Sequence, residues 1–151
     1  MTQRFLYNLG DAIEQHVPLD ARLIVLNSTK RAFEQLLRTD PDNAGRQRDL
    51  SVSHDRVGDV LVAQGRLPEA LTSYLDSLAI ADRLTKADPG NAGWQRDLAI
   101  SHQKLALTFE QQGNRADALA NFRAGAATMT RLGALSPDNA TWKNDAAFFA
   151  E

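Results

Sequence analysis

One short segment recurs along this chain at a constant interval of 48 residues. Asp-Pro-Asp-Asn-Ala-Gly begins at Asp40, Asp-Pro-Gly-Asn-Ala-Gly begins at Asp88, and Ser-Pro-Asp-Asn-Ala begins at Ser136. The residues that follow also match, since Gln-Arg-Asp-Leu at 47–50 recurs at 95–98. A chain that repeats itself at such an interval is expected to fold as similar supersecondary units, each stacked on the next.

Each unit reads as a pair of α-helices. In the second unit, Leu50, Val57 and Leu61 are spaced so that they line one face of a helix. Neither helix of a pair can bury its apolar stripe alone, so the two are expected to pack together. No stretch alternates with a period of two over the length of a strand, so the sequence predicts an all-α fold. The second stripe of the unit consists of Leu67, Leu71, Tyr74, Leu78 and Ala81.

The expected helix ends carry residues with specific conformational preferences. Gly65 and Gly113 fall where a residue with positive φ would end the first helix of a unit. Pro68 fits the first turn of the second helix, where its missing N–H is harmless, and Asn114 is placed to cap a second helix. The first helices are each preceded by a proline and a capping asparagine, namely Pro41 and Asn43, Pro89 and Asn91, and Pro137 and Asn139.

These signals divide the chain into four units of one domain. Residues 40–87 and 88–135 are complete units, and 1–39 is a degenerate first unit. Residues 136–151 are a truncated fourth unit or capping helix, with one amphipathic helix over 141–151. The unit length leaves roughly 18 to 22 residues for each helix. At 151 residues the chain is long enough to bury a continuous core.

Composition and charge narrow the classes of function. The 17 basic and 19 acidic residues give a formal net charge of -2, so the broad positive field of a nucleic-acid or anionic-membrane binder is missing. Cysteine is absent, and His16, His54 and His102 lack the spacing of metal ligands. No stretch approaches the roughly 20 apolar residues of a membrane span, and residues 1–9 do not resemble a signal peptide. We therefore expect a cytoplasmic protein without nucleic-acid, membrane, metal or cofactor partners.

The two complete units resemble the tetratricopeptide repeat. That family has bulky and small residues on the first helix of its hairpin and a small-aromatic-small pattern on the second. The resemblance implies a right-handed α-solenoid of antiparallel helix hairpins, with about seven helices here. The matching residues of the second unit are Val57, Gly58, Leu61, Gly65, Ala70, Tyr74 and Ser77, and those of the third are Leu105, Ala106, Phe109, Gly113, Ala118, Phe122 and Gly125.

The small residues of this pattern let two helix axes approach. Gly58 is expected to face Ala70 while Tyr74 fills the space alongside. The unit is longer than the 34 residues that are commonest in the family, so the chain looks like a long-helix bacterial variant. In the first unit Arg22 and Leu26 replace the small and aromatic residues, and this unit is expected to cap the array.

The resemblance also implies a concave groove, lined mainly by first helices, on which members of the family generally hold a peptide or a partner helix. Both charge signs occur among the groove residues, which argues against a purely acidic or purely basic ligand. The lysine and asparagine set with which some relatives clamp a C-terminal carboxylate is not reproduced. The alternative is that these are solvated helix faces. The residues are Tyr7, Asn8, Asp11, Asp55, Arg56, Asp59, Gln103, Lys104, Leu107 and Gln111.

Three repeated features admit more than one interpretation. His54 and His102 recur at one register, which favours packing over catalysis. Trp94 and Trp142 follow the capping asparagines, where an aromatic either packs over the preceding helix end or anchors a partner; packing is favoured. The Arg-Asp pairs at 48–49 and 96–97 are predicted to form surface or inter-repeat ion pairs.

The sequence thus predicts a scaffold or adaptor that binds another protein in its groove. No nucleophile with a base and no phosphate-binding loop is evident, so we do not expect an enzyme. One alternative is a structural homo-oligomer formed through the C-terminal helix, where Phe148 and Phe149 leave the polarity of the outer face in doubt. Another is a sensor or regulatory domain of a larger bacterial signalling or effector protein.

Overall fold

The computed structural model describes residues 17–137 and 139–150, with the backbone alone at 140–142. These residues form six α-helices and no strand, so the all-α prediction is confirmed for this part of the chain. The helices are α1 Leu19–Thr39, α2 Ala44–Ala63, α3 Leu67–Ala87, α4 Ala92–Gln111, α5 Arg115–Leu135 and α6 Ala140–Ala150.

The helix boundaries recur with the same period as the sequence. α1, α3 and α5 begin at residues 19, 67 and 115, and α2, α4 and α6 begin at 44, 92 and 140. The first five helices have 20 or 21 residues each, within the predicted range. The helix that the sequence pattern places before α1, the first of the seven expected, falls outside the described residues.

Local signals end and begin the helices as predicted. The side-chain oxygens of Asn43, Asn91 and Asn114 each accept the backbone N–H three residues later, at 3.0, 3.1 and 3.2 Å. Gly65 and Gly113 have φ values of 74° and 78°, a region that residues with a Cβ rarely adopt. The same short signals therefore set the boundaries in both complete units.

A repeated glutamine also fastens the loops, which the sequence patterns did not reveal. Gln47 donates its side-chain amide to the carbonyl of Pro41 at 2.6 Å, and Gln95 donates to the carbonyl of Pro89 at 3.1 Å. Pro68 lies in the first turn of α3, as expected. These bonds satisfy loop carbonyls that lie next to the helix starts.

Each described helix packs against its neighbours in sequence. Val57 and Leu61 of α2, Ala70 and Tyr74 of α3, and Leu105 of α4 form one buried cluster. The cluster joins the second unit to the first helix of the third. Burial between units therefore contributes to the core as much as burial within a hairpin.

Gly58 is required by a ring rather than by a helix backbone. A Cβ built on Gly58 would overlap the ring of Tyr74, and Tyr74 is almost fully buried. The expected approach of Gly58 to Ala70 is therefore corrected: the nearest group is the aromatic ring itself. In the third unit the equivalent residues are Ala106 and Phe122, so the glycine is not a general need of the repeat.

The repeated Arg-Asp pairs connect different units. Arg48 of α2 donates to Asp97 of α4 at 2.6 Å, and Arg96 of α4 donates to Asp145 of α6 at 2.8 Å. Each arginine thus bonds to the aspartate of the next unit, not to the one beside it in sequence. Both pairs are partly exposed, so each is expected to contribute about 0–1 kcal/mol.

The contact between α5 and α6 differs from its counterpart one unit earlier. There, Ser77 of α3 and Ser101 of α4 face each other with their hydroxyls 3.4 Å apart. At the equivalent positions, Gly125 of α5 lies beneath the ring of Phe149 of α6. One pair of small side chains is therefore replaced by a large ring and a glycine that leaves room for it.

Candidate functional site

The ten predicted groove residues divide into three groups. Tyr7, Asn8 and Asp11 lie outside the described residues. Asp55 lies on α2 but lines neither of the clefts described next. The remaining six line two adjoining clefts on α2 and α4, and they are Arg56, Asp59, Gln103, Lys104, Leu107 and Gln111.

The central cleft, between α2 and α4, has a volume of about 430 Å³. It gathers five of the predicted residues, from Asp59 on α2 to Gln111 on α4. The side chain of Asp145 on α6 and that of Arg96, which form an ion pair, close one side. The remaining lining residues are Val62, Tyr74, Ile100 and Thr108.

The proximal cleft, between α1 and α2, has a volume of about 320 Å³. Asp59 lines this cleft as well as the central cleft, so the two adjoin at that residue. Arg56 is exposed here and forms no ion pair with the described residues. Its guanidinium is therefore available to a carboxylate of a bound partner. The rest of the lining is Leu19, Arg22, Leu26, Val60 and Ala63.

Asp59 organises the charges where the clefts meet. Its carboxylate accepts hydrogen bonds from the Tyr74 hydroxyl at 2.7 Å and from the Lys104 ammonium at 2.5 Å. The Lys104 nitrogen also lies 5.6 Å from the centre of the Tyr74 ring. Burial, together with this carboxylate, raises the pKa of Tyr74, so the phenol stays a donor. The charge of Lys104 is thus already paired within the chain.

Asp55 lies inward, next to this cluster. Its Oδ1 is buried and accepts no hydrogen bond within the described residues. Burial is the main reason that the pKa of this carboxyl rises to about 6, while the charge of Lys104 opposes the rise. The equivalent residue of the next unit is Gln103, so a carboxyl is not required by the repeat. Its assignment to the groove lining does not agree with this placement.

Three buried serines lie between α2, α3 and α4. The hydroxyls of Ser51 and Ser77 are 2.9 Å apart, and the Ser77 hydroxyl reaches that of Ser101 at 3.4 Å. Ser51 also donates to the carbonyl of Ser77. Sequence reasoning found only Ser77, as a small residue, because hydroxyls at apolar register positions give no sign of their partners.

The two histidines have different environments despite their equivalent positions. His54 is buried, and burial lowers its pKa although Asp76 lies 3.9 Å from its Nδ1. His102 is half-buried, and its Nδ1 is 3.0 Å from the side-chain oxygen of Asn121. The nearest carboxylate to His54 is thus on α3 and is not that of its sequence neighbour, which agrees with the packing role expected for both histidines. Trp94 is also half-buried, and the side chain of Trp142 is outside the described residues.

No protein-family model matches this chain, and no curated protein matches it at a significant level. Within residues 17–137 and 139–150, no helix is long and apolar enough to cross a membrane. The same described residues hold no cluster of three or more histidines and carboxylates placed to bind a metal ion. The function is therefore inferred from the repeat and from the chemistry of the clefts.

Proposed function

We propose that this chain is a tetratricopeptide-like α-solenoid that binds a peptide or helix of another protein along α2 and α4. The observation that carries the proposal is the joining of the central and proximal clefts at Asp59. Together they form a continuous, preformed path across the first helices of two units. A preformed groove of this kind suits an extended or helical segment better than a small molecule.

The side chains that line the path favour an amphipathic ligand of mixed charge. Val60, Ile100 and Leu107 provide apolar contact. Because Lys104 and Arg96 are each paired within the chain, Arg56 is the groove cation best placed to recruit an acidic residue. The role assigned to the protein is that of a cytoplasmic scaffold or adaptor, and no catalysis is assigned to it.

A charge reversal at Arg56 tests the proposal. Arg56→Glu is expected to weaken capture of partner proteins by about tenfold, or about 1.4 kcal/mol, because it places a negative charge where the ligand carboxylate would bind. The measurement is quantitative mass spectrometry of proteins retained from a cell lysate by immobilised chain. Lys104 is left unchanged, since Lys104→Glu would set two carboxylates together at Asp59.

Arg83→Glu is the matched control. Arg83 is exposed on α3, forms no ion pair with the described residues and lies outside both clefts. The control should retain the partners that Arg56→Glu loses. If the two variants retain the same proteins in the same amounts, the groove is not the binding surface.

Homo-oligomerisation through the C-terminal helix receives less support. The rings of Phe148 and Phe149 lie 5.0 Å apart, edge to face, and Phe148 lies 5.8 Å from Phe122 of α5. Both residues of α6 are half-buried against the chain itself. Light scattering over a range of concentrations tests this alternative, because a monomer throughout excludes it.

A further inference from the structure

An open apolar cleft lies beside the last described helix. This terminal cleft, between α5 and α6, has a volume of about 470 Å³. Its apolar wall consists of Leu107, Leu119, Phe122, Ala126, Phe148 and Phe149.

The same positions are covered one unit earlier. Tyr74 of α3 is only 3% exposed, whereas Phe122, its counterpart on α5, is half-buried. Leu71 of α3 is half-buried, whereas its counterpart Leu119 is 48% exposed. The terminal cleft is therefore a hairpin face that lacks the cover present in the preceding unit.

The missing cover can be named from the preceding unit. Leu105, in the second half of α4, is fully buried in the same cluster as Tyr74, and Phe109 packs against that cluster. These two residues lie one helical turn apart on α4. Their counterparts would be positions 153 and 157, whereas α6 ends at Ala150 and the sequence has 151 residues.

We propose that the terminal cleft of this 151-residue chain binds an amphipathic helix of another protein, about three turns long, that presents two large apolar side chains four residues apart. Those side chains would occupy the places that Leu105 and Phe109 fill in the preceding unit. The residue just before the first of them should be apolar, because its counterpart Lys104 bonds to Asp59 while the equivalent of Asp59 here is Leu107.

A second copy of this chain does not offer the required pair. The exposed large apolar residues of the described helices contain no two that lie three or four positions apart on one helix. Ile24 and Val25 of α1 are adjacent, so they point about 100° apart. The exposed set is Ile24, Val25, Leu36, Leu75, Leu107, Leu119 and Leu135.

This inference goes beyond the groove function, since the terminal cleft shares only Leu107 with the central cleft. The two can therefore fail separately. Arg56→Glu should leave binding at the terminal cleft unchanged, and a variant of Leu119 should leave capture at the groove unchanged.

The probe is a fluorescein-labelled synthetic peptide with the sequence of residues 99–111 of this chain and Lys104→Leu. Its binding to the full chain is measured by fluorescence anisotropy. A second peptide that also carries Leu105→Ser and Phe109→Ser should bind at least about tenfold more weakly, because it loses both buried apolar side chains. Equal binding of the two peptides would overturn the proposal.

Leu119→Asp in the chain should weaken binding of the first peptide at least about tenfold, because it places a charge in the apolar wall. Leu75→Asp is the matched control, since Leu75 is also 48% exposed on a second helix and does not line the cleft. The control should stay within about twofold of the parent chain. A loss of the same size in both variants contradicts the assigned site.

Two further measurements keep the test decisive if Leu119→Asp is poorly folded. Amide chemical-shift changes on addition of the peptide should be concentrated at residues 119–126 and 148–149, and changes confined to other helices would overturn the proposal. Sedimentation of the chain alone should show a monomer. Self-association that Leu119→Asp abolishes would mean that a second copy, not another protein, fills the cleft.

Discussion

Gly58→Ala is expected to destabilise the protein by about 2 kcal/mol, although alanine is the better helix former. The added methyl group would overlap the ring of Tyr74, which must then move and lose its hydrogen bond to Asp59. Overpacking of a core typically costs about 1–3 kcal/mol and a lost hydrogen bond about 1, against a gain of about 1 from helix propensity. Urea unfolding followed by circular dichroism measures the difference.

Gly133→Ala supplies the matched control. Gly133 lies within α5, and a Cβ added there would meet no other atom within 4 Å. The control is expected to gain about 0.5–1 kcal/mol, since only the gain in helix propensity remains. Should Gly58→Ala also be stabilising, the close contact with Tyr74 would not exist in solution.

The boundaries of the helices were predictable because their signals are local and occur more than once. A proline, a capping asparagine and a glycine with positive φ act within a few residues, so they need no knowledge of the rest of the fold. Gly65 and Gly113 illustrate this, since both have the predicted conformation. Repetition then transfers each boundary from one unit to the next.

Contacts between units were less predictable, because they depend on the phase and spacing of whole helices. The motif at 48–49 left both local and inter-repeat pairing open, and only the placement of α4 brings Arg48 to Asp97. Gly58 shows the same limit, since the resemblance treats it as equivalent to Ala106. The aromatic opposite each residue decides whether a methyl group fits.

The candidate site shows how far helical spacing can assign a face. Arg56 and Asp59 lie three residues apart and share one cleft, as the pattern predicted. Asp55 also lies one turn from Asp59, yet its Oδ1 is buried. A residue at the edge of an apolar face can turn either way, and three buried serines from different helices make the inner environment polar here. Their convergence is a property of the assembled helices, not of any one segment.

Asp55→Asn is expected to stabilise the protein by up to about 3 kcal/mol at pH 8, and this gain should disappear at low pH. Burial raises the pKa of this carboxyl from 3.8 to about 6. Between these values the folded state holds a proton that the unfolded state has released. Stability therefore falls as the pH rises through this window, and the full loss is present above about pH 6. A tenfold change in proton affinity corresponds to about 1.4 kcal/mol, which sets the size of the loss.

The amide of Asn cannot ionise, so Asp55→Asn removes this loss and leaves the volume unchanged. Urea unfolding of both proteins at pH 8 and at pH 4 should show a difference that shrinks to less than about 0.5 kcal/mol at the lower pH. Asp49→Asn, the same change at an exposed position of α2, should alter stability by less than about 0.5 kcal/mol at either pH. A gain from Asp55→Asn that is equally large at both pH values would place its origin in packing or hydrogen bonding. The carboxylate at Asp55 would then be tolerated in the folded chain without loss, and the buried Oδ1 would need a donor that moves in solution.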